Sequence, residues 1–229
     1  MALTIIETPP PTAWSTKRCI SLAIISLILG AIIFVLAYIG MYQHTGIGAL
    51  NQPVLSWMID HRQSQITDVM KIITTAASPL ALIAFVCISA AIWAILNREV
   101  WRPLLMIIAT GTAAASSVIL KFLISNERPP ELSMIKPLET DYSFPSGHTI
   151  SMVVLLLVIS YLICSRHPSG WRIFSWTIIT TIGIGIIAVS RLYLGYHWLT
   201  DVVASIGLGL IILTLAIFID RLVVNHFED

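Results

Sequence analysis

Six uncharged, apolar runs, at residues 21–42, 72–96, 103–120, 149–165, 173–190 and 202–219, occupy about half of this 229-residue chain. Each is close to the ~17–25 residues that a helix needs to cross the hydrocarbon layer of a bilayer. Backbone polar groups in lipid must be satisfied within the segment, so runs of this length predict helices rather than barrel strands. The expected fold class is all-α, a bundle of six transmembrane helices. Composition agrees: 57% of residues are hydrophobic and 11% charged, with a formal net charge of +1. A soluble domain carries roughly a quarter charged residues. A disordered chain, a nucleic-acid binder and an ordinary soluble globule are excluded.

The expected organisation is an N-terminal tail (1–18), one membrane domain (19–224) and a C-terminal tail (225–229). Residues 8–12, Thr-Pro-Pro-Pro-Thr, read as a short disordered tail. Lys17-Arg18 ahead of a long apolar run without a cleavage site reads as the flank of a retained first helix. The three cysteines, Cys19, Cys87 and Cys164, have no C-x-x-C spacing and read as buried thiols. With the N-terminus inside, seven cations face the cytoplasm and six the exterior. Three of those six belong to the polar constellation described next, and setting them aside leaves seven against three. The positive-inside rule then favours cytoplasmic N- and C-termini. The first outer loop, 43–71, carries Val54, Leu55, Trp57, Met58 and Ile59, which suits either an interfacial helix or a folded cap. The small residues at 111–117 predict a close helix–helix contact.

Ionisable residues at membrane helix ends are costly and therefore candidates for function. They fall into three groups. Lys121 closes the third run and Arg128 follows seven residues later, ahead of Pro129-Pro130. If the helix continued, both cations would project from one face. Pro145-Ser146-Gly147-His148 opens the fourth run, offering an N-cap hydroxyl and free backbone N–H groups for an anion. Ser190-Arg191, His197 and Asp201 span the fifth and sixth runs, with His197 and Asp201 at i and i+4, a spacing that shares a helix face. A carboxylate on one imidazole nitrogen fixes the tautomer and frees the other nitrogen as nucleophile or base. With six passes all three groups lie at the same membrane face, predicted to be the outer one.

These residues fill the eleven positions of a known three-part signature. Lys121-x6-Arg128-Pro129, Pro145-Ser146-Gly147-His148 and Ser190-Arg191-x5-His197-x3-Asp201 resemble the type 2 phosphatidic acid phosphatase (PAP2) superfamily. The small size and short 125–147 loop resemble its bacterial membrane lipid phosphatases, and the hydropathy excludes its soluble branches. The resemblance implies an enzyme that removes phosphate from a lipid phosphate or diphosphate through a phosphohistidine. His197 would be the nucleophile, Asp201 its orienting carboxylate and His148 the general acid and then base. Lys121, Arg128, Arg191, Ser146 and Gly147 would hold the phosphoryl oxygens. It implies no metal and no other cofactor, and a requirement for neutral His197 and protonated His148, hence a bell-shaped pH profile. The expected partners are the lipid substrate and the bilayer, with no nucleic acid, and the expected location is the bacterial cytoplasmic membrane. The same residues would serve a phosphotransferase. A lipid-phosphate transporter would instead place charge near the bilayer midplane. Glu127, Glu131, Glu139 and Asp141 in the 125–147 loop read as a solvated surface or as a filter against extra headgroup charge.

Overall fold

The computed structural model describes residues 13–228. The expected tail at 8–12 lies outside them. Eight helices follow in order: α1 (Thr16–Gln43), α2 (Asn51–Asp60), α3 (Ser64–Ala76), α4 (Pro79–Asn97), α5 (Trp101–Ile124), α6 (Gly147–Arg166), α7 (Gly170–Tyr193) and α8 (Leu199–Glu228). Short 3-10 turns occupy Gly46–Leu50 and Glu131–Ser133, and no strand occurs among the described residues.

Among the described residues, five helices, α1, α5, α6, α7 and α8, are long and apolar enough to cross a membrane. The expected second span, 72–96, is interrupted. Residues 64–76 and 81–97 meet at 55°, so a sixth crossing arises only when this bent pair counts as one span. The break falls at Ser78, which is extended (φ −62°, ψ 153°) and whose hydroxyl accepts from Ala81 N to cap α4. A residue preceding proline is pushed out of the helical region, and Pro79 follows here.

Helices α6 and α8 form the centre of the bundle, with α5, α7 and α1 around them. Ile150, Val154 and Val158 of α6 pack with Leu105 and Ala109 of α5 and with Ile212 and Ile217 of α8. The outer faces stay apolar: Ile24, Ile28, Ile88, Ile92, Ile119 and Ile182 are all exposed. In water such faces would drive association, whereas lipid tails solvate them. Helices α1 and α8 make the most extensive pairing, at a crossing of Gly30 on Gly207. A Cβ on Gly30 would lie 2.6 Å from the Gly207 carbonyl oxygen. The 111–117 stretch also lies against a neighbouring helix, since a Cβ on Gly147 of α6 would lie 3.2 Å from Ser117 Oγ. Gly111 faces open space, although Ala113 and Ser117 in the same stretch are buried. Cys19 and Cys164 are buried as expected, whereas Cys87 is exposed on α4.

Buried charge lies at two levels, one at each end of the bundle. At the end away from the sequence motifs, Asp220 accepts from Trp101 Nε1 at 2.9 Å and Tyr161 OH at 2.6 Å. Nearby Arg166 donates to Glu99 at 3.1 Å, and Arg221 donates to the Trp14 carbonyl at 3.1 Å. These pairings satisfy polar groups that would be expensive to leave bare in an apolar surround.

Candidate active site

The opposite end of the bundle gathers the ends of α5 and α7, the starts of α6 and α8, and the 125–146 loop. Each part is set by local chemistry. Helix α5 stops at Ile124 because Ser125 turns left-handed (φ 51°). Arg128 lies beyond the helix end, so the condition for sharing a helical face with Lys121 is not met. The two cations are brought together instead by one carboxylate, Asp141. Lys121 Nζ pairs with its Oδ2, and Arg128 Nη2 lies 2.5 Å from its Oδ1.

Ser146 is the N-cap of α6, its hydroxyl accepting from Thr149 N at 3.4 Å and from the Thr149 hydroxyl at 2.9 Å. Gly147 packs close to α5, where an added Cβ would stand 3.2 Å from Ser117 Oγ. His148, the second residue of α6, lies within electrostatic reach of Arg191, Glu139, Lys121 and Arg128.

His197 is not on a helix. It lies in the turn between α7 and α8, and Asp201 is in the first turn of α8. The i, i+4 pairing expected from a common helix face is made by a cap-like turn. Trp198 N donates to Asp201 Oδ2 at 2.9 Å, and His197 Nδ1 reaches the same oxygen at 3.2 Å. Ser205 Oγ donates to the Asp201 carbonyl at 2.7 Å and to the Ser146 carbonyl at 3.1 Å, tying α8 to the start of α6.

The other nitrogen of His197, Nε2, stands 3.3 Å from Arg128 Nη1 and 4.0 Å from Glu139 Oε2. Arg128 is fixed by the Tyr196 carbonyl at 2.6 Å and the Asp141 carbonyl at 2.6 Å. Arg191 is 1% exposed, donates to Thr74 Oγ1 at 2.6 Å, pairs with Glu139 Oε1 and lies 4.5 Å over the Tyr196 ring. Lys121, Arg128 and Arg191 thus surround the space facing His197, and Glu139 and Asp141 fill it. Burial, then Arg191, Arg128 and Lys121, hold the His197 imidazole well below its ordinary range and so neutral. Burial alone would raise the Glu139 and Asp141 carboxyls. Arg191 and Arg128 outweigh it at Glu139, and Lys121 and Arg128 at Asp141, so both are held below their usual range.

Every sequence-predicted site residue therefore comes to this one end of the bundle, with Ser146 serving first as a helix cap. Residues 99–222 match the PAP2 superfamily. The chain belongs to that family. Over 154 residues the PAP2 chain is 32% identical to phosphatidylglycerophosphatase B of Bacillus subtilis (strain 168), covering 66% of this chain and 73% of the relative. Over 158 residues it is 28% identical to undecaprenyl-diphosphatase BcrC of the same organism, covering 67% and 75%. Its structure is similar to the crystal structure of a transmembrane PAP2-type phosphatidylglycerolphosphate phosphatase from Bacillus subtilis. That match has a TM-score of 0.70 at 27% identity, over 90% of this chain and 97% of the other. Aquifex aeolicus LpxE shares the fold, with a TM-score of 0.55 at 19% identity over 75% and 94%. This PAP2 protein is a membrane lipid phosphatase.

Several residues around the PAP2 signature escaped the sequence. Arg62, between α2 and α3, donates to the Tyr193 carbonyl at 3.0 Å and the Ser133 carbonyl at 2.7 Å. Asn51, at the start of α2, accepts from Thr200 N at 3.0 Å and donates to its hydroxyl at 3.1 Å, which secures the start of α8. The 43–71 segment is accordingly a folded cap on the site, with Leu55 buried, although Trp57 stays exposed. No spacing links these positions to the signature. Only the charge of Arg62 beside an apolar helix hinted at a buried partner. Of the loop acids, Glu127 and Glu131 are exposed as a solvated surface would be; Asp141 is exposed too but pairs with Lys121 and Arg128, and Glu139 turns inward to Arg128 and Arg191.

Proposed function

We propose that this lipid phosphatase hydrolyses a terminal lipid phosphate or diphosphate, without metal, through a phosphohistidine on His197. The observation carrying this reading is the two-sided setting of His197. Nδ1 is bonded to Asp201, and Nε2 faces the space enclosed by Lys121, Arg128 and Arg191. Nε2 attacks phosphorus in line, the bond from phosphorus to the lipid-side oxygen breaks, and His148 delivers a proton to that leaving oxygen. Asp201 balances the positive charge that develops on the imidazole. His148, now neutral, takes a proton from water. The hydroxide formed attacks phosphorus, the N–P bond breaks, and phosphate leaves with His197 restored. The three cations, the Ser146 hydroxyl and the Gly147 amide stabilise the charge on the transferring oxygens.

The substrate class is an amphiphile with its phosphate at headgroup level: undecaprenyl diphosphate, phosphatidylglycerophosphate, phosphatidate or diacylglycerol diphosphate. Two of these match activities named for the Bacillus subtilis relatives. A cavity of about 920 Å³ beside Arg128 and Trp198, lined also by Met41, Tyr42, Ile124 and Asn126, suits an amphiphile with apolar and polar parts. Counting α3 and α4 as one bent span gives six passes. The loop charges then put both termini in the cytoplasm and the site at the extracytoplasmic face of the cytoplasmic membrane.

The test is phosphate release from these lipids by detergent-purified protein in EDTA, for wild type and His197→Ala, with acid-quench trapping of labelled phosphate on protein. Release that survives EDTA and disappears in the variant, with an acid-labile phosphoprotein in wild type only, is expected. Release that requires a divalent ion, or that persists in His197→Ala, overturns the mechanism. Transfer of the label to a lipid or sugar hydroxyl instead of water would identify a phosphotransferase.

A further inference from the structure

The three cations around His197 are already paired, with two carboxylates shared among them. Glu139 spans Arg191 and Arg128, its Oε2 2.8 Å from Arg128 Nη2, and Asp141 spans Arg128 and Lys121. Two carboxylates thus present four oxygens to the cations that would hold a phosphoryl group, and Glu139 Oε2 comes within 4.0 Å of His197 Nε2. The segment carrying them is tethered at both ends. Ile135 N donates to the Leu194 carbonyl at 2.9 Å, and Ser143 N to the Asn126 carbonyl at 2.9 Å. Arg62 donates to the Ser133 carbonyl beside the first tether, where Gly195 leaves room for that carbonyl to approach closely. Between the tethers, Lys136, Pro137, Leu138, Thr140 and Tyr142 are exposed, and the two carboxylates and the Asp141 carbonyl bind the segment inward. Asp141 itself is 60% exposed in its side chain, at the mouth of the site. The bonds that draw the two carboxylates inward are separate from the backbone bonds that anchor the segment at 135 and 143.

We propose that Glu139 and Asp141 are specificity-determining residues: they occupy the phosphoryl site and yield to a dianionic terminal phosphate but not to a phosphodiester headgroup. The proposal rests on the reading of Lys121, Arg128 and Arg191 as the phosphoryl-holding cations. Charge decides the exchange. Two carboxylates carry two negative charges, and a terminal phosphate at neutral pH carries nearly two, with three free oxygens. It replaces the pair charge for charge. A phosphodiester carries one charge on two free oxygens, so displacing the carboxylates would leave a cation unpaired in a site where Arg191 is 1% exposed. The bilayer around this protein is itself built largely of phosphodiester headgroups. An uncovered three-cation site at headgroup level would be filled by them.

The test uses the full chain in mixed micelles, with wild type, Glu139→Gln, Asp141→Asn and the double variant. Phosphatidylglycerol serves as the phosphodiester competitor and inorganic phosphate as the terminal-phosphate probe. The expected result is a wild-type KM insensitive to phosphatidylglycerol. In the double variant the same lipid inhibits competitively and raises the apparent KM about tenfold, while inorganic phosphate binds about tenfold more tightly. A double variant no more sensitive to phosphatidylglycerol than wild type overturns the proposal. Should the variants fail to fold, amide hydrogen exchange on wild type decides. Saturating inorganic phosphate should raise exchange across 136–142, and unchanged or slower exchange there overturns the displacement. This exchange readout needs no turnover. Wild type that hydrolyses no lipid yet shows the exchange would therefore count against the enzymatic reading and leave the displacement standing.

Discussion

His197 Nδ1 lies 3.2 Å from Oδ2 of Asp201, an oxygen that also accepts from Trp198 N at 2.9 Å. The carboxylate therefore holds the proton of His197 on Nδ1 and turns the Nε2 lone pair toward the space between the cations. Orientation and tautomer are set by one residue whose side chain is fully buried.

Asp201→Asn keeps the size of that side chain and loses its charge. The amide can donate to Nδ1 and select the wrong tautomer. Phosphate release should fall by about 10³–10⁴-fold in kcat, as for orienting carboxylates elsewhere, with the protein still folded. Steady-state kinetics beside a thermal melt check it; a loss under tenfold would remove Asp201 from its role.

Arg191→Lys should behave as a drastic change. Arg191 splits its two terminal nitrogens between Thr74 and Glu139 while stacking on Tyr196, a geometry that a single ammonium cannot reproduce. A loss of about 10²–10³-fold in kcat/KM is expected, comparable to removing one donor from a charge-stabilising site. Full activity in Arg191→Lys would show that point charge alone suffices.

The pH dependence follows from the lowered His197 pKa. Burial and the three nearby cations disfavour the imidazolium, so the ring stays neutral as pH falls through the ordinary imidazole range of about 6.5. Nucleophilic competence is present above the lowered folded value and is lost only beneath it. Protonation at low pH favours the unfolded chain, so His197 also makes the fold less stable below about pH 6.5. Imidazole ¹⁵N shifts of labelled His197 should remain those of a neutral ring at pH 6. An imidazolium signal at that pH would contradict this setting.

Gly195→Ala probes the first tether of the 136–142 segment. Gly195 has φ 77°, and an added Cβ would sit 2.1 Å from the Ser133 carbonyl oxygen. The substitution combines a left-handed backbone with a backbone collision and should destabilise by about 1–3 kcal/mol. Protease cleavage near 131–142 should accelerate in the variant. Unchanged cleavage and melting would mean that the loop is held elsewhere.

Gly207→Leu tests the α1–α8 crossing, where a Cβ would lie 2.6 Å from Phe34 N. The helices must separate, and the melting temperature in detergent should drop by several degrees, as overpacking of about 1–3 kcal/mol implies. The equivalent change at Gly111, which faces open space, should leave stability nearly unchanged.

The sequence by itself determined the helical membrane class and singled out the candidate residues that the fold brings to one end of the bundle. Hydrophobic length reports membrane crossing directly, because lipid leaves the backbone no alternative to internal hydrogen bonds. The signature residues were legible because chemistry restricts their types: cations for phosphoryl oxygens, a histidine, and a carboxylate four positions away. Hydropathy alone does not show where local conformation bends a span or ends a helix. Ser78-Pro79 breaks the expected second span, and Ser125 ends α5 before Arg128.

Only the tertiary structure decided what occupies the space between the cations. Glu139 and Asp141 sit in a loop that a charge count assigns to solvent, yet Glu139 pairs with Arg191, 52 residues away, and Asp141 with Lys121, 20 residues away. Arg62 holds the same loop at the Ser133 carbonyl, across 71 residues of chain. Pairings at such separations leave no periodicity or spacing in the sequence. They arise when helices packed by their apolar faces bring distant charges into a region too dry to leave them unpaired.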